Sequence, residues 1–377
     1  MAAIHILHLH SSFDLGGKEA RAVRLMNAFG DVARHTIVSG VPEATGARDA
    51  IAKGIAYEIA QNPPPLTGKP SVARYEAIAR YMRRFDLVLS YNWGAIDGVM
   101  ARRVFGKGVP PIVHHEDGFN ADEAGGLKPE RNMYRRIALG AAHALVVPSR
   151  TLETIALGTW KQPAARVQRI VNGIDVARYA QAPGARTIPG FRKKPGEVVI
   201  GTLAGLRAVK DLPLLVRAFG GLSGAVRLVI VGEGPERGAI EAAAAAMGIA
   251  DRVHLPGFLP DPARYIGLFD ILALSSRSEQ FPIAVVEGMA AGLPVVAPPV
   301  GDVPTMVSLE NQPYIARDGV ELWLRDALQA LVVDPDLRAR IGAANRLKAQ
   351  GEYAESAMID AYRRLYAAAV GAPGILG

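Results

Sequence analysis

Short apolar runs alternate with amphipathic stretches along most of the chain. In the first half, residues 4–9, 36–39, 86–90, 111–114 and 144–148 are strand-like, and residues 17–29 carry apolar positions at helical spacing. Such alternation predicts βα units around a parallel sheet, whose strands read as short continuous apolar runs because helices cover both faces. The pattern breaks over Pro183-Gly184-Ala185-Arg186-Thr187-Ile188-Pro189-Gly190-Phe191-Arg192-Lys193-Lys194-Pro195-Gly196, a stretch rich in Pro, Gly and positive charge that reads as a linker. It restarts at residues 198–203, 226–231, 253–255, 270–274 and 294–297, each followed by a helical pattern, so a second doubly wound sheet is expected. From about Val320 the chain is helical throughout, ending in residues 354–370. The expected division is a first domain over residues 1–183, a linker over 184–197, a second domain over 198–352, and a C-terminal helix over 353–377 that packs back on the first domain.

Length supports that count, since 377 residues exceed a single core of roughly 100–200 residues. There are no cysteines, which excludes disulfides, thiolate zinc sites, iron–sulfur clusters and cysteine nucleophiles. The N-terminus enters a strand directly, without a basic region and cleavable apolar stretch. No apolar run approaches the ~18 residues that span a bilayer. A cytoplasmic protein is expected, free or at the inner face of the membrane. The formal charge of +7 favours an anionic partner without choosing among nucleotide, phospholipid surface and nucleic acid, and basic proteins are often simply soluble.

Chemistry concentrates in Ser275-Ser276-Arg277-Ser278-Glu279-Gln280-Phe281-Pro282-Ile283-Ala284-Val285-Val286-Glu287, continuing through Gly288-Met289-Ala290-Ala291-Gly292-Leu293-Pro294-Val295-Val296-Ala297. This reads as a strand end, a loop, a helix and the next strand. Pro282 suits the first helical position, where a missing N–H costs nothing, so the helix is expected to begin beside Glu279. Amides of residues such as Phe281 and Ile283, at the positive end of the helix dipole, suit a phosphate or the oxygens of a sugar. Glu287 lies about a turn and a half inside, its side chain leaning back toward the helix start. Carboxylates accept hydrogen bonds from paired hydroxyls, so two of them around one anion-binding point match the shape of a sugar nucleotide. Two glutamates on an exposed helix would by themselves mean little.

Their frame is more specific. Glu279 and Glu287 in this sequence, followed by Val300-Gly301-Asp302-Val303-Pro304, closely resemble glycosyltransferase family 4. The resemblance implies an α/β protein of GT-B fold, two Rossmann-like doubly wound parallel-sheet domains facing a central cleft. The first would bind the acceptor and the second the nucleotide sugar, with anomeric configuration retained. It implies that Glu279 contacts hydroxyls of the donor sugar and Glu287 the ribose. It also implies that no divalent metal or other cofactor is needed.

Further stretches extend the likeness. In His10-Ser11-Ser12-Phe13-Asp14-Leu15-Gly16-Gly17-Lys18-Glu19, Gly16 and Gly17 would let the backbone approach the donor diphosphate, although a plain strand-to-helix turn reads the same way. The run from Ile200 to Asp211 resembles the family's diphosphate clamp, usually Gly-Arg-Leu with a Lys five residues after the Arg. Lys210 aligns with that Lys, but Gly205 holds the Arg position. Arg207 would supply the missing charge if its loop turns it inward, and is otherwise a solvated surface residue. Val231-Gly232-Glu233-Gly234-Pro235 resembles a family turn, and Leu255-Pro256-Gly257-Phe258-Leu259-Pro260-Asp261 the loop whose backbone reads the base, at Leu259. Packing explains both equally well.

Val113-His114-His115-Glu116-Asp117-Gly118-Phe119 falls where family members carry a His near the anomeric centre. Anchoring on Gly118 selects Asp117, anchoring on the strand end selects His115, and either side chain can hydrogen-bond an acceptor hydroxyl. His5, His8 and His10 recur along one strand, which reads as one sheet face rather than a metal site. The basic segment from Lys128 to Ile137 would suit an anionic membrane, with a solvated helix as the plainer alternative.

The function expected is glycosyl transfer from a nucleoside-diphosphate sugar to a hydroxyl of a glycan, lipid-linked saccharide or polysaccharide precursor, with no nucleic acid involved. A sugar-nucleotide epimerase of the same fold and a non-catalytic sugar-nucleotide binder are the rivals. A nicotinamide oxidoreductase is disfavoured, because the first strand-to-helix turn lacks Gly-x-Gly-x-x-Gly.

Overall fold

The computed structural model describes residues 3–119, 123, 126–315 and 320–377, which divide into two compact units. The first comprises Met1–Asn172 and Ala357–Gly377, the second Gly173–Ser356.

In the first unit, β1 (Ile4–His10), β2 (Ala33–Ser39), β3 (Ala56–Ile59), β4 (Leu87–Tyr91), β5 (Ile112–His115), β6 (Ala144–Val147) and β7 (Val167–Arg169) form one parallel sheet of order β3-β2-β1-β4-β5-β6-β7. The helices are α1 (Gly17–Phe29), α2 (Val72–Met82), α3 (Ile96–Phe105), α4 (Pro129–Ala138) and α5 (Arg150–Gly158). Ser71 and Ser149 start α2 and α5 by accepting hydrogen bonds from the amides of Arg74 and Leu152, at 3.2 and 3.0 Å. Because side chains alternate along a strand, Leu7, Val88, Ile112 and Leu145 enter one core with Ile78, Met82 and Val99 of α2 and α3. Their neighbours Ile6, Leu89, Val113 and Val146 enter another with Leu25 of α1 and with Tyr362 and Tyr366 of the C-terminal helix, Glu355–Ala369.

The same parity corrects one expectation. His8 and His10 share a face, but His5 points the other way, its Nε2 lying 2.8 Å from Thr36 Oγ1 and its ring against Phe85. Among the described residues no group of three or more His, Asp or Glu side chains is placed to hold a metal ion, and no helix is long and apolar enough to cross a membrane. The basic segment forms α4, where Arg135 turns fully inward to Glu116 and Glu123, at 3.0 and 3.1 Å, and Arg131 reaches Glu123 at 2.9 Å. Those two charges hold the fold instead of facing a partner surface.

In the second unit, β8 (Val198–Leu203), β9 (Val226–Val231), β10 (Val253–Gly257), β11 (Ile271–Ala273) and β12 (Val295–Val296) form a parallel sheet of order β10-β9-β8-β11-β12. Its helices are α6 (Leu212–Gly220), α7 (Arg237–Ala246), α8 (Ile283–Ala290), α9 (Val303–Met306), α10 (Val320–Val333) and α11 (Pro335–Glu352). In each sheet the strand order reverses at one central pair, β1 with β4 and β8 with β11. The loops leaving such a pair diverge, opening the crevice in which doubly wound sheets hold ligands.

The stretch 184–197 is no tether, and the first unit ends at Asn172 rather than at 183. Ile188 and Phe191 are buried at 1% and 4% exposure, Lys193 pairs with Asp270 at 2.6 Å, and Glu197 pairs with Arg227 at 2.8 Å. Two apolar anchors among the prolines and charges bind this segment to the second unit. Phe191→Ala is therefore expected to lower the unfolding free energy of that unit by about 3–5 kcal/mol in urea titrations, with the exposed Arg186→Ala unchanged. Equal stability of both variants and the parent protein would restore the linker reading.

Candidate functional site

At the β8/β11 reversal, two loops meet through both backbone and side chains. The 3-10 turn Ala208–Lys210 ends at Asp211, whose φ of 46° makes a left-handed corner. Arg277 N donates to the Val209 carbonyl at 2.8 Å, Ser275 Oγ to the Lys210 carbonyl at 2.9 Å, and Arg277 Nε to Asp211 Oδ2 at 2.8 Å. These bonds present Lys210 Nζ to Glu279 Oε1 as an ion pair, and Ser276 Oγ donates to the same oxygen at 2.7 Å. Lys210 and Glu279 thus come together as the sequence motifs imply.

The loop after Glu279 is fixed from behind. Gly301 has φ of 54°, and a Cβ there would lie 2.4 Å from the Glu279 carbonyl and 2.6 Å from that of Gln280. The next amide, of Asp302, donates to the Gln280 carbonyl at 3.0 Å. Phe281 is buried with its ring edge-on to Tyr353, centroids 5.6 Å apart. Pro282 caps α8 in extended conformation, with φ −68° and ψ 114°, so Ile283 is the first helical residue, one position later than expected. Glu287, one turn inside α8, is 8% exposed and accepts from the Tyr179 hydroxyl at 3.0 Å. The first-turn amides of α8 and the Lys210 ammonium supply positive charge, while Glu279 and Glu287 supply acceptors for hydroxyls.

Neighbouring motifs serve this arrangement by packing. A Cβ on Gly232 would fall 1.8 Å from the Ala204 carbonyl, the Leu206 amide donates to the Glu233 carbonyl at 2.8 Å, and Glu236 N donates to the Leu206 carbonyl at 3.0 Å. The turn at 232–236 therefore shapes the loop that carries Gly205, Arg207 and Lys210. Arg207 is exposed, and its Nε lies 3.5 Å from where a Gly205 Cβ would stand. Leu259 is half-buried, and its carbonyl accepts from the Tyr265 hydroxyl at 3.3 Å.

In the first unit, Gly16 caps α1 with φ −137°, a conformation open to any residue, and Gly17 begins the helix. What space favours glycine at 16 is Glu19, whose Oε2 would lie 2.9 Å from an added Cβ. Lys18 pairs with Glu19, and burial pushes the Lys18 ammonium down to about 8. The two residues left open after β5 part company. His115 is fully buried and stacked on Tyr91 at 4.6 Å, with Nδ1 near the Ser90 carbonyl at 3.1 Å and Nε2 against the Tyr366 hydroxyl at 2.8 Å. Burial, then Arg21, pushes it down to about 3, so it is a neutral core residue rather than one that meets a ligand. Asp117 stands two residues beyond the strand, its carboxylate gripped by both terminal nitrogens of Arg21, Nη2 at 2.8 Å, and its amide donating to Asn92 Oδ1 at 2.7 Å. Burial alone would raise the Asp117 pKa, but Arg21 outweighs it and holds the carboxyl below its usual value.

Sequence reading missed Ser276, Tyr179 and Arg21. Ser276 lies inside the motif and follows a strand end, a usable signal. Arg21 occupies the buried stripe of α1 with Ala22, Leu25 and Met26, where a charge stands out. Tyr179 has no local signal, because its partner lies 108 residues away.

Comparison with known proteins gives family matches in both halves of the chain. Residues 186–348 match the family described as Glycosyl transferases group 1, and residues 15–178 match Glycosyltransferase Family 4. D-inositol 3-phosphate glycosyltransferase of Mycobacterium marinum is 30% identical over 78% of this chain and 66% of its own length. The enzyme of that name from Xylanimonas cellulosilytica is 30% identical over 74% of this chain and 72% of its own. The matches span 54–66% of the length of four curated relatives, three of that name and the N-acetyl-alpha-D-glucosaminyl L-malate synthase of Bacillus anthracis. Anabaena HepE, solved in complex with UDP, superposes with a TM-score of 0.76 at 21% identity, over 95% of this chain and 98% of its own, and so shares the fold.

Arg21 and Asp117 yield a test. A carboxyl whose folded pKa lies below the unfolded value of about 3.9 stabilises the fold above that pH, and the contribution is lost as pH falls through the folded pKa. Arg21→Met leaves that carboxyl without its partner and is expected to cost about 3–5 kcal/mol at pH 7. In denaturant titrations the gap to the parent protein should close below about pH 4. A gap that stays constant from neutral pH to pH 3 would exclude the pair as its cause.

Proposed function

The chain belongs to glycosyltransferase family 4, the group 1 glycosyl transferases, and from that membership we propose that it moves a sugar from a nucleoside-diphosphate sugar to an acceptor hydroxyl with retention of anomeric configuration. The observation that carries the reading is the meeting of Lys210, Ser276 and Glu279 beside the start of α8, with Glu287 one turn inside. Glu279 takes hydroxyls of the donor sugar, Glu287 takes the ribose, and Phe281, Pro282 and Ile283 frame the helix end that faces the diphosphate. As the bond from the anomeric carbon to the diphosphate breaks, the growing charge is met by Lys210 and by Arg207, with no metal ion in the scheme. Arg207 suits this role because its side chain reaches back over Gly205, the position where the family carries its arginine. Leu259 contributes its backbone beside the base, and Gly16 and Gly17 at the start of α1 remain candidates for the diphosphate, with the Glu19 carboxylate standing close to Gly16.

On the acceptor side we assign Asp117 rather than His115. Its carboxylate is ionised and held in one orientation by Arg21, whereas both ring nitrogens of His115 face core groups. The acceptor is a glycan, a lipid-linked saccharide or a related precursor. Because HepE was solved with UDP, UDP-sugars are the first donors to try. Gly205 and Asp117 both depart from the family pattern, and these departures favour the second reading, a binder of sugar nucleotides that does not turn them over.

Thermal-shift measurements with UDP, GDP and ADP are expected to show one nucleotide raising the midpoint in proportion to the logarithm of its concentration. With the matching sugar donor, Glu279→Gln is expected to lower kcat by about 10²–10³-fold while leaving nucleotide affinity within about threefold. Arg207→Ala should lower kcat by at least about tenfold if it faces the leaving diphosphate. Saturable donor binding with no release of nucleoside diphosphate under any acceptor condition would select the binder, and no binding at all would remove both readings.

A further inference from the structure

Resting on the reading of Glu287 as the ribose contact, we propose that Tyr179 is a positioning residue for nucleotide recognition, its hydroxyl fixing the Glu287 carboxylate in the orientation that receives the sugar diol. Tyr179 lies in the 3-10 turn Val176–Ala180, just past the point where the chain enters the second unit, and belongs to none of the stretches that resemble the family's donor site. Its hydroxyl donates to Glu287 Oε1 at 3.0 Å, and the two residues are 7% and 8% exposed.

A hydrogen bond from the wall restricts a carboxylate's rotation about its last torsion, and an ionised carboxylate offers about four acceptor sites in all. A phenol hydroxyl orients a carboxylate without adding a charge of its own. The turn that carries Tyr179 is itself held rigidly. Ile174 N donates to the Tyr353 carbonyl at 3.0 Å and Glu355 N to the Ile174 carbonyl at 2.9 Å, so the chain lies against the end of α11. Arg178 reaches Asp261 at 2.5 Å, which ties the turn to the loop carrying Leu259. Tyr265, 2% exposed, stands near the same carboxylate, and burial and then the Glu287 charge raise its pKa, so it stays a neutral phenol.

The test compares binding of nucleoside diphosphates with that of their 2′,3′-dideoxy analogues by calorimetry, using UDP, GDP and ADP pairs and the pair whose ribose form binds best. The parent protein is expected to prefer the ribose form by at least about tenfold, and Glu287→Gln to abolish that preference. Tyr179→Phe, which keeps the ring and removes only the hydroxyl, is expected to cut the preference by about five- to tenfold. Its affinity for the dideoxy form and its melting midpoint without ligand should stay those of the parent. If Glu287→Gln leaves the preference intact, or no pair binds, the reading of Glu287 fails and the proposal with it. If Glu287→Gln abolishes the preference and Tyr179→Phe does not alter it, or weakens both ligands equally, Tyr179 is merely structural and the proposal alone is overturned.

Discussion

A missing side chain at position 301 governs the second unit's site. With φ of 54° and the carbonyls of Glu279 and Gln280 lying where a side chain would begin, Gly301 lets two loops share a surface that any Cβ would hold apart. The Asp302 amide then closes the contact on the Gln280 carbonyl, and the residues between Glu279 and the start of α8 have nowhere else to go. Glu279 meets Lys210 because of this backing. Hydrogen-bonding groups fixed before a ligand arrives need no reorganisation when charge develops, which is where such sites gain their effect.

Strand order supplies the other half of the constraint. In both sheets the strand order reverses at a central pair, yet the two reversals carry different chemistry. After β8 and β11 stand a lysine, a serine and a glutamate close to a helix start. Beside the β1/β4 pair, by contrast, an arginine from α1, the helix after β1, crosses to an aspartate in the loop after β5, over a floor of histidine and tyrosine rings stacked at 4.1–4.6 Å. One topology thus provides two locations, and the residues that fill them decide what each can do.

The alternation of strands and helices was legible because it is a local, periodic signal, and the motif around Glu279 was legible because its residues are close in sequence. β3 and β7 escaped notice, being short edge strands with exposed positions at 56–58 and 168–169. Residues 184–197 were misread since composition reports what surrounds an element, whereas Ile188 and Phe191 alone decide that this one packs. The choice between His115 and Asp117 was beyond motif alignment. It turns on where β5 ends, at His115, which is buried against Tyr366, while Asp117 two residues on meets Arg21. Tyr179 with Glu287 is wholly a product of folding, and no spacing rule relates them.

The first unit covers one face of its sheet with Tyr362 and Tyr366, which are translated only after all of Gly173–Ser356. On the ribosome the second unit is one continuous stretch, able to collapse once it clears the exit tunnel. Meanwhile the earlier sheet has only α1 to cover Ile6, Leu89, Val113 and Val146, without the two tyrosines. Maturation therefore runs against the direction of synthesis, and the nascent chain carries a sticky, half-built surface for the time needed to add about 180 residues, ten to forty seconds at ordinary elongation rates of roughly 5–20 residues per second. That interval is when a holdase chaperone has most to protect.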